Sequence, residues 1–322
     1  MSVPNARPAE RGRAILVTVP ATSANLGPGF DALGLALDWH DEVEVELASE
    51  GVAVSVAGEG VDDLPRDAGH LVVRAMHATF SALGVEVPGV VVRCVNTIPQ
   101  ARGLGSSAAA IVAGVLAARA LTPEVARERA IDLDTLAIAA DLEGHADNVA
   151  PCLLGGAAVA WRSDGRVRAE RLDVHPEIRP VVYVPDMAVR TEAARGVLPD
   201  AVPFTDAAQN TGRAALLVEA LAKRPELLFD ATADLLHQQY RRPVMPEAME
   251  LVDRLRAERW PAVVSGAGPS VLVLSTGDTL PPTMDRWRMA PLGVDLRGAT
   301  VVPVKAGNAH EGYDPVAIGH GD

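Results

Sequence analysis

The chain is short of aromatic residues, cysteine and lysine, and each shortage narrows what the protein can be. Phe, Trp and Tyr make up 3% of the 322 residues, so Val, Leu and Ala have to fill the core. The two cysteines, Cys94 and Cys152, lie in apolar segments, which favours buried thiols over a disulfide. Only Lys223 and Lys305 are available to a mechanism that needs a phosphate-binding or proton-accepting lysine.

Long hydrophobic runs are missing as well. No apolar run reaches the roughly 18 residues that a membrane-spanning helix needs. The polar stretch 2–13 lacks the apolar core of a secretory signal. The net charge of -13 argues against nucleic acid or an anionic membrane as a partner. We therefore expect a cytoplasmic globular protein whose partners are small molecules.

Hydrophobic periodicity predicts an α+β chain of two domains, 1–168 and 169–322, with the boundary in the region 165–178. The predicted strands cover 14–19, 33–37, 42–47, 52–57, 90–95, 157–161, 166–172, 180–184, 263–264, 271–274 and 299–304. The predicted helices cover 69–83, 105–120, 123–131, 133–142, 206–222, 225–236 and 246–258. The turn 162–165 is expected to close a hairpin, and the alternation over 42–47 predicts a half-solvated antiparallel strand.

A loop rich in glycine and serine follows the predicted strand 90–95. Its residues are Pro99, Gln100, Ala101, Arg102, Gly103, Leu104, Gly105, Ser106, Ser107, Ala108 and Ala109. Glycine lets a backbone come close to a ligand, and a Gly-Ser turn that opens a helix presents free N–H groups and the positive end of the helix dipole. The loop therefore predicts a phosphate site that works without the lysine of a G-x-x-x-x-G-K-[ST] loop.

Two other interpretations of this loop stay open. The spacing Gly103-x-Gly105-x-x-Ala108 also fits a loose dinucleotide fingerprint, which needs an acidic residue at the end of a second strand about 20 residues later. That region, 121–124, has the composition of a connection between two helices. The second alternative is a tight turn with a structural role alone.

Two further turns have the composition of ligand sites. The segment 20–31 holds Asn25 and Asp31 in a frame of glycine and proline, and such a rigid frame suits a small polar ligand. The segment 265–270 lies between two apolar strands and is rich in glycine and serine, so it allows a second close approach of backbone to ligand. The plainer interpretation of both is an ordinary polar connection.

The segment 143–151 crowds chemistry into the end of an apolar helix. Glu143, His145, Asp147 and Asn148 fall within six residues. Glu143 is a candidate ligand for a Mg²⁺ shared with phosphates, because that ion takes one or two carboxylates together with substrate oxygens. Zinc is disfavoured, since no second His or Cys lies at ligand spacing. A polar helix end capped by glycine is the plainer alternative.

The segments 20–31, 103–109 and 265–270 resemble, in the same order, the three motifs of the GHMP small-molecule kinases. They read Pro-Ala-Thr-Ser-Ala-Asn-Leu-Gly-Pro-Gly-Phe-Asp, Gly-Leu-Gly-Ser-Ser-Ala-Ala and Ser-Gly-Ala-Gly-Pro-Ser. Each motif alone is weak evidence, whereas three in order are specific. Within that superfamily, the first motif and the run 147–151 are similar to those of the homoserine kinases.

The resemblance implies the two-domain GHMP kinase fold. The N-terminal domain is expected to bind ATP and to resemble domain 2 of ribosomal protein S5, and the C-terminal domain to be ferredoxin-like. The resemblance also implies ATP-dependent phosphorylation of the side-chain hydroxyl of L-homoserine to O-phospho-L-homoserine, in threonine biosynthesis, with Mg²⁺ as cofactor.

The resemblance further implies a role for individual residues. The loop 99–109 is expected to wrap the ATP phosphates, and Ser107 (less so Ser106) to hold Mg²⁺ together with Glu143. The implied catalytic residues are Asn148, which orients the hydroxyl, His145 and Glu143. The implied substrate-binding residues are Asn25, Asp31, His145, Asn148, Arg195, Arg241 and Gly268. Among these, Asp31 is expected to bind the substrate ammonium, and the two arginines its carboxylate, with which a planar guanidinium pairs twofold.

Some choices are left open by the sequence. Arg242 adjoins Arg241 and is an alternative to it. Residues 17–20 contain no lysine, which fits the homoserine branch and disfavours the mevalonate type. His145 is the one candidate general base, although we expect positioning to dominate the chemistry. The functional alternatives are a GHMP kinase for another small alcohol, such as mevalonate or shikimate, and a non-catalytic ligand-binding module of the same fold; a homodimer is open too.

Overall fold

The computed structural model describes residues 13–86, 89–122 and 135–305, and within these ranges the chain builds two sheets. The larger sheet contains β1 (Arg13–Ala24), β2 (Leu33–Ala48), β3 (Val52–Gly58), β4 (Gly89–Asn96), β5 (Ala157–Ser163), β6 (Arg166–Leu172) and β11 (Thr300–Lys305). The smaller sheet contains β7 (Ile178–Pro185), β8 (Ala262–Val264), β9 (Val271–Thr276) and β10 (Trp287–Pro291).

Both sheets are mainly antiparallel. The larger runs in the order β11-β1-β2-β4-β3, with β5 paired to β2 and β6 to β5, and only the pair β3–β4 is parallel. The smaller runs β10-β7-β9-β8 and is antiparallel throughout. This arrangement confirms the predicted α+β class. It argues against the dinucleotide interpretation of the glycine loop, because that fold is built on a parallel sheet.

Helices cover the two sheets. They are α1 (Leu71–Leu83), α2 (Ser106–Leu121), α3 (Thr135–Glu143), α4 (Val149–Leu154), α5 (Thr191–Gly196), α6 (Phe204–Ala222), α7 (Leu228–Ala231) and α8 (Pro246–Ala257). Helix α2 packs against both α1 and β1. A Cβ at Gly114 would lie 2.4 Å from the carbonyl oxygen of Val72, so this glycine lets α1 and α2 cross closely. The close crossing holds the start of α2, where the glycine loop ends.

In the described part of the chain, three clusters of buried apolar residues result from this packing, and the smallest is the alanine-rich one between α3, α4 and the β5–β6 hairpin. The largest cluster fills the space between the first sheet and helices α1 and α2 and continues into one face of the second sheet with α6, and the next lies between the other face of the second sheet and α8. Cys94 and Cys152 are both buried and free, as predicted. Among the residues described, no helix has the length and apolarity needed to cross a membrane.

The two strands predicted over 33–37 and 42–47 are one bent strand, β2. Its partner β1 also runs on to Ala24, so the first residues of the segment 20–31 are strand rather than turn. The register places Pro20 opposite His40 but Ala21 opposite Leu37, which leaves two residues of β2 unpaired as a bulge. Proline has no N–H to give to the ladder, and a bulge at this point bends the strand.

The half-solvated face predicted for 42–47 is wrong at Glu44. This side chain is fully buried, and its carboxylate accepts a hydrogen bond of 2.7 Å from Arg93. The two residues lie directly opposite each other in the β2–β4 register. Alternation separates the two faces of a strand but does not show that one face has a charged partner on the neighbouring strand.

The helix predicted over 225–236 is also wrong. Residues 225–227 form a single 3₁₀ turn, and α7 ends at Ala231. The carboxylate of Asp234 accepts hydrogen bonds from the N–H groups of residues 236, 237 and 238, so it competes with helical hydrogen bonding. The strand β10 and the short helix α5 were not predicted. The predicted helix 123–131 lies outside the described residues.

The sheets also bear on where the two halves meet. The predicted hairpin turn is confirmed, because Ser163 pairs with Arg166 across Asp164 and Gly165, both at positive φ.

The predicted division after residue 168 falls inside β6, and β11 returns from the C-terminal half to pair with β1. The chain passes from the first sheet to the second between β6 and β7. The two-domain division stays a prediction.

Candidate functional site

The three glycine-containing turns meet at one point. The first follows β1, the second joins β4 to α2, and the third joins β8 to β9. The N–H of Thr22 donates to the carbonyl of Leu104 at 3.0 Å, and the N–H of Gly266 donates to the carbonyl of Ala24 at 3.1 Å. The hydroxyl of Ser265 donates to the carbonyl of Gly103 at 2.7 Å. Segments that are far apart in the chain therefore form one site across both sheets.

The turns approach each other so closely that only glycine fits at two positions of the loop. Gly103 and Gly105 have φ values of 72° and 71°, which favour glycine. A Cβ at Gly103 would lie 2.2 Å from the carbonyl oxygen of Ser265, and one at Gly105 would lie 2.0 Å from the hydroxyl oxygen of Thr22. Close approach to a ligand was the predicted reason for these glycines, and close approach to the other two turns is a further one.

The start of α2 presents unpaired donors. Within the described part of the chain, the N–H groups of Ser106, Ser107 and Ala108 have no acceptor, whereas that of Ala109 donates to the carbonyl of Gly105 at 2.9 Å. These three donors lie at the positive end of a helix of 16 residues. Together with the turn before it, this helix start can bind an anion without any lysine.

A hydroxyl and two carboxylates lie beside these donors. The hydroxyl of Ser107 donates to Glu143 at 2.7 Å, and His145 lies 2.6 Å from Asp147 and 3.9 Å from Glu143. Burial raises the pKa of the Glu143 carboxyl, partly opposed by the Ser107 hydrogen bond. Burial acts against the charge on His145, but its hydrogen bond to the Asp147 carboxylate and the nearby carboxylates outweigh burial and raise the pKa of the imidazole.

Asn148 lies at the start of α4 and faces the same space. Its Oδ1 accepts a hydrogen bond of 2.8 Å from the hydroxyl of Thr22. That contact joins the first turn to the α3–α4 turn and leaves the amide nitrogen of Asn148 without a partner among the described residues. Thr22 was given no role from the sequence, although it lies inside the first motif.

A second wall of the site carries charge. Asp31 forms a two-point ion pair with Arg195, at 2.5 and 3.1 Å. Asn25 fixes the backbone here, because its Oδ1 accepts the N–H of Asp31 at 3.0 Å and its amide donates to the carbonyl of Gly266 at 2.9 Å. Phe30 lies beneath Arg195, with 5.7 Å between the guanidinium carbon and the ring centre. The hydrogen bonds to Asp31 raise the pKa of Arg195.

Arg241 is the buried cation of the site. Only 1% of its surface is exposed, and its one described hydrogen bond is to the carbonyl of Gly266 at 2.7 Å. Its Nε has no partner among the described residues. Burial lowers the pKa of Arg241 to about 10, with a contribution from the charge of Arg195. Arg242 points elsewhere and pairs with Asp253 at 2.9 Å.

These groups surround a cavity of about 320 Å³. The predicted site residues that line it are Gln100, Ala101, Gly103, Leu104, Gly105, Ser106, Ser107, Asn25, Glu143, His145, Asn148, Arg195 and Arg241. Asp31 reaches the site through Arg195. Gly268 is not part of the lining, because it packs against Met245, whereas Gly266 and Ala267 of the same turn do line the cavity. The guanidinium of Arg102 donates to the carbonyls of Pro185 and Asp186 and holds the loop to the end of β7.

One end of the cavity has no counterpart in the predicted site. It is lined by Leu64, His70, Leu71 and Asn96. Both ring nitrogens of His70 are buried and lack a partner among the described residues. A lone His at the start of a helix carries no sequence signal that separates a core residue from a ligand contact, and only the fold brings it next to the loop.

Comparison with known proteins agrees with this architecture. Residues 70–156 match the GHMP kinases N terminal domain, so the fold and the glycine loop define a member of that class. The chain is 52% identical to the homoserine kinase of Streptomyces coelicolor over 93% of its own length and 98% of that protein, and 47% identical to that of Corynebacterium efficiens over 93% and 98%. A crystal structure of homoserine kinase from Cytophaga hutchinsonii superposes with a TM-score of 0.77 at 27% identity, covering 94% of this chain and all of that one. The chain belongs to the homoserine kinase family.

Proposed function

We propose that this protein transfers the γ-phosphoryl group of ATP to the side-chain hydroxyl of L-homoserine. The observation that carries the proposal is a single cavity with two unlike walls: one has the unpaired N–H groups at the start of α2, and the other has Arg195 and Arg241, with Asp31 paired to Arg195. One wall suits a triphosphate and the other suits a zwitterion.

The amino-acid wall is supported most strongly by Arg241. A buried guanidinium with one acceptor and an unpartnered Nε is costly in the absence of an anion. A substrate carboxylate supplies that anion and can bind two arginines, Arg195 and Arg241, at once. Asp31 lies next to Arg195 and is suited to the ammonium of the same molecule. A sugar has neither charge.

The phosphate wall is suited to a nucleotide with its magnesium ion. Ser107 and Glu143 already place a hydroxyl and a carboxylate oxygen 2.7 Å apart beside the unpaired N–H groups, and hard oxygen donors are what Mg²⁺ takes. When bound, Mg²⁺ neutralises charge on the β- and γ-phosphate oxygens. The apolar end of the cavity near Leu64 and Leu71 is then the space left for the nucleobase.

Positioning is the main contribution of the protein to the transfer. Asn148 is held by Thr22 and can direct its amide N–H toward the substrate hydroxyl. His145 is held by the Asp147 carboxylate at 2.6 Å, which suits a positioning role beside the reacting groups. Phosphoryl transfer passes through a loose transition state and asks for little covalent chemistry from the enzyme. In this mechanism the hydroxyl proton leaves late, to the phosphate or to solvent.

A coupled ADP-release assay with a panel of alcohols tests the proposal. We expect Mg²⁺-dependent turnover with L-homoserine and little with mevalonate, shikimate or galactose. Strong turnover on mevalonate with none on homoserine would overturn the substrate assignment. ATP and homoserine binding without turnover under any metal would instead indicate a non-catalytic module. A cytoplasmic setting remains a prediction from the sequence.

A further inference from the structure

Arg195 has one anionic partner within the described structure, and that partner is Asp31. Two nitrogens of the guanidinium meet two oxygens of the carboxylate at 2.5 and 3.1 Å, a fork-to-fork arrangement. The pair lies at the rim of the cavity, with side chains 36% and 39% exposed. Asp31 and Arg195, two of the three groups that would bind a zwitterion, are therefore bound to each other in this structure.

The geometry holds Asp31 firmly and Arg195 less so. Asp31 has a φ of 55°, and its N–H is held by Asn25. Arg195 extends from the six-residue helix α5 and otherwise contacts the face of Phe30. A guanidinium can slide over an aromatic face while keeping its cation–π contact. Arg195 is thus the member of the pair that can leave Asp31 and bind another anion.

We propose that the Asp31–Arg195 pair selects zwitterionic substrates by exchange, a proposal that rests on the proposed function. The substrate's ammonium replaces Arg195 at Asp31, and its carboxylate replaces Asp31 at Arg195. A zwitterion restores both charge contacts that it breaks. A ligand with only one charge leaves either Asp31 or Arg195 without its partner, so the pair works against carboxylate-only and ammonium-only molecules.

The exchange has a consequence that a simple ammonium site does not have. Removal of the Asp31 charge should weaken the binding of the zwitterion. It should tighten the binding of a ligand that carries only the carboxylate, because Arg195 is then free to bind it. The variant Asp31→Asn is suitable, since asparagine tolerates positive φ and keeps the same shape. The carboxylate-only probe is 4-hydroxybutanoate, which is homoserine without its amino group.

The test compares dissociation constants of L-homoserine and 4-hydroxybutanoate, measured by calorimetry on the folded wild type and Asp31→Asn. We expect homoserine binding to weaken at least tenfold, and 4-hydroxybutanoate binding to tighten roughly two- to fivefold, the range for a half-exposed ion pair. Glu192→Gln is the matched control, because Glu192 also lies on α5 at the cavity and has no described contact with Arg195.

Two results would overturn the exchange. One is unchanged or weaker 4-hydroxybutanoate binding in Asp31→Asn, and the other is an equal gain in Glu192→Gln, which would show a general effect of negative charge. Wild-type turnover of L-homoserine reports on the proposed function separately, because the exchange is measured from binding of 4-hydroxybutanoate and needs no phosphoryl transfer.

Discussion

At the scale of single residues, burial distinguishes two adjacent arginines that look alike in the sequence. Arg241 is enclosed and has one backbone acceptor, whereas Arg242 reaches the surface and pairs with Gln239 and Asp253. A buried charge without its counter-ion lowers the stability of the free protein, and a surface ion pair contributes little. The structure therefore favours Arg241 as the carboxylate contact, which the sequence left open.

We expect Arg241→Met and Arg242→Met to behave in opposite ways. Arg241→Met should raise the KM for homoserine roughly 10- to 100-fold, as loss of a hydrogen bond to a charged group does. It should leave the melting temperature of the ligand-free protein unchanged or higher, because a desolvated cation is removed. Arg242→Met should leave KM within about twofold of the wild type. Steady-state kinetics and thermal melts measure the two effects. Equal changes in KM in the two variants would contradict the assignment of Arg241 as the carboxylate contact.

Asp41 offers a pH-dependent test at the same scale. Its Oδ1 accepts the N–H groups of Thr97 and Ile98 at 2.6 and 2.9 Å, in the stem of the glycine loop. Burial raises the pKa of Asp41 to about 6, from 3.8, despite these hydrogen bonds. Between these pH values the folded state binds the proton more tightly than the unfolded state does, so stability falls as pH rises toward 6 and the loss is complete above it.

Asp41→Asn should therefore stabilise the protein only where Asp41 is charged. The amide oxygen can still accept both N–H groups, and the desolvated charge is gone. We expect the free energy of unfolding to rise by on the order of 2 kcal/mol at pH 8 and to change little at pH 3.5. Denaturant unfolding at both pH values measures this, with the exposed Asp67→Asn as control. A gain at pH 3.5 as large as that at pH 8 would rule out the electrostatic origin.

At the scale of elements, the sequence predicts long helices and strands with a regular hydrophobic repeat, and it does not predict short or irregular ones. The helix predicted over 246–258 is found at Pro246–Ala257, because its apolar face repeats cleanly. The helix predicted over 225–236 had a similar pattern, but it does not form over its full length because the side chain of Asp234 accepts the backbone N–H groups that would continue it. The strand β10 was missed because its five residues include an arginine and a proline, and only pairing with β7 makes them a strand.

The candidate site divides in the same way. The glycine loop was recognisable because its composition restricts the backbone locally. The contact between Thr22 and Asn148 joins residues 126 positions apart, and no local pattern carries that information. The same holds for His70, which reaches the cavity only through the packing of α1. Local chemistry predicted which turns matter, and tertiary packing determined which side chains in them face the cavity.

The glycine loop gives a prediction about an element as a whole. Gly103→Ala adds a Cβ 2.2 Å from the carbonyl of Ser265 at a φ of 72°, whereas Gly51→Ala adds one in open space at a φ of 79°. Gly51→Ala should cost about 1 kcal/mol for the backbone conformation alone. Gly103→Ala should cost about 2–4 kcal/mol, because overlap is added, and should raise the KM for ATP. Unfolding curves compare the two; equal costs would show that the turns are not in close contact.

At the scale of the whole molecule, the last described strand, β11, pairs with the first, β1, and extends the larger sheet at its edge. After the second sheet, the chain returns to the first half of the molecule. The backbone N–H of Asp295 donates to the carbonyl of Ala36, that of Ala299 donates to the carbonyl of Cys152, and β11 pairs with β1 over six residue pairs. The candidate cavity is lined by residues from both halves of the chain but by none from β11. We therefore expect the loss of β11 to lower stability and to leave the cavity lining unchanged.

Shortening the chain separates these two dependences. A protein that ends at Gly298 loses β11 and leaves the edge of β1 unpaired. With several backbone hydrogen bonds lost at 0.5–1.5 kcal/mol each, we expect about 4 kcal/mol less stability and a melting temperature roughly 10 °C lower. At low temperature, where the shortened protein is still folded, the KM values for ATP and homoserine should match the wild type, since the cavity lining is intact. A protein that ends at Lys305 keeps every described contact and is the control. If both proteins melt together, β11 adds nothing to the sheet, and the return of the chain has no role in holding the two halves as one molecule.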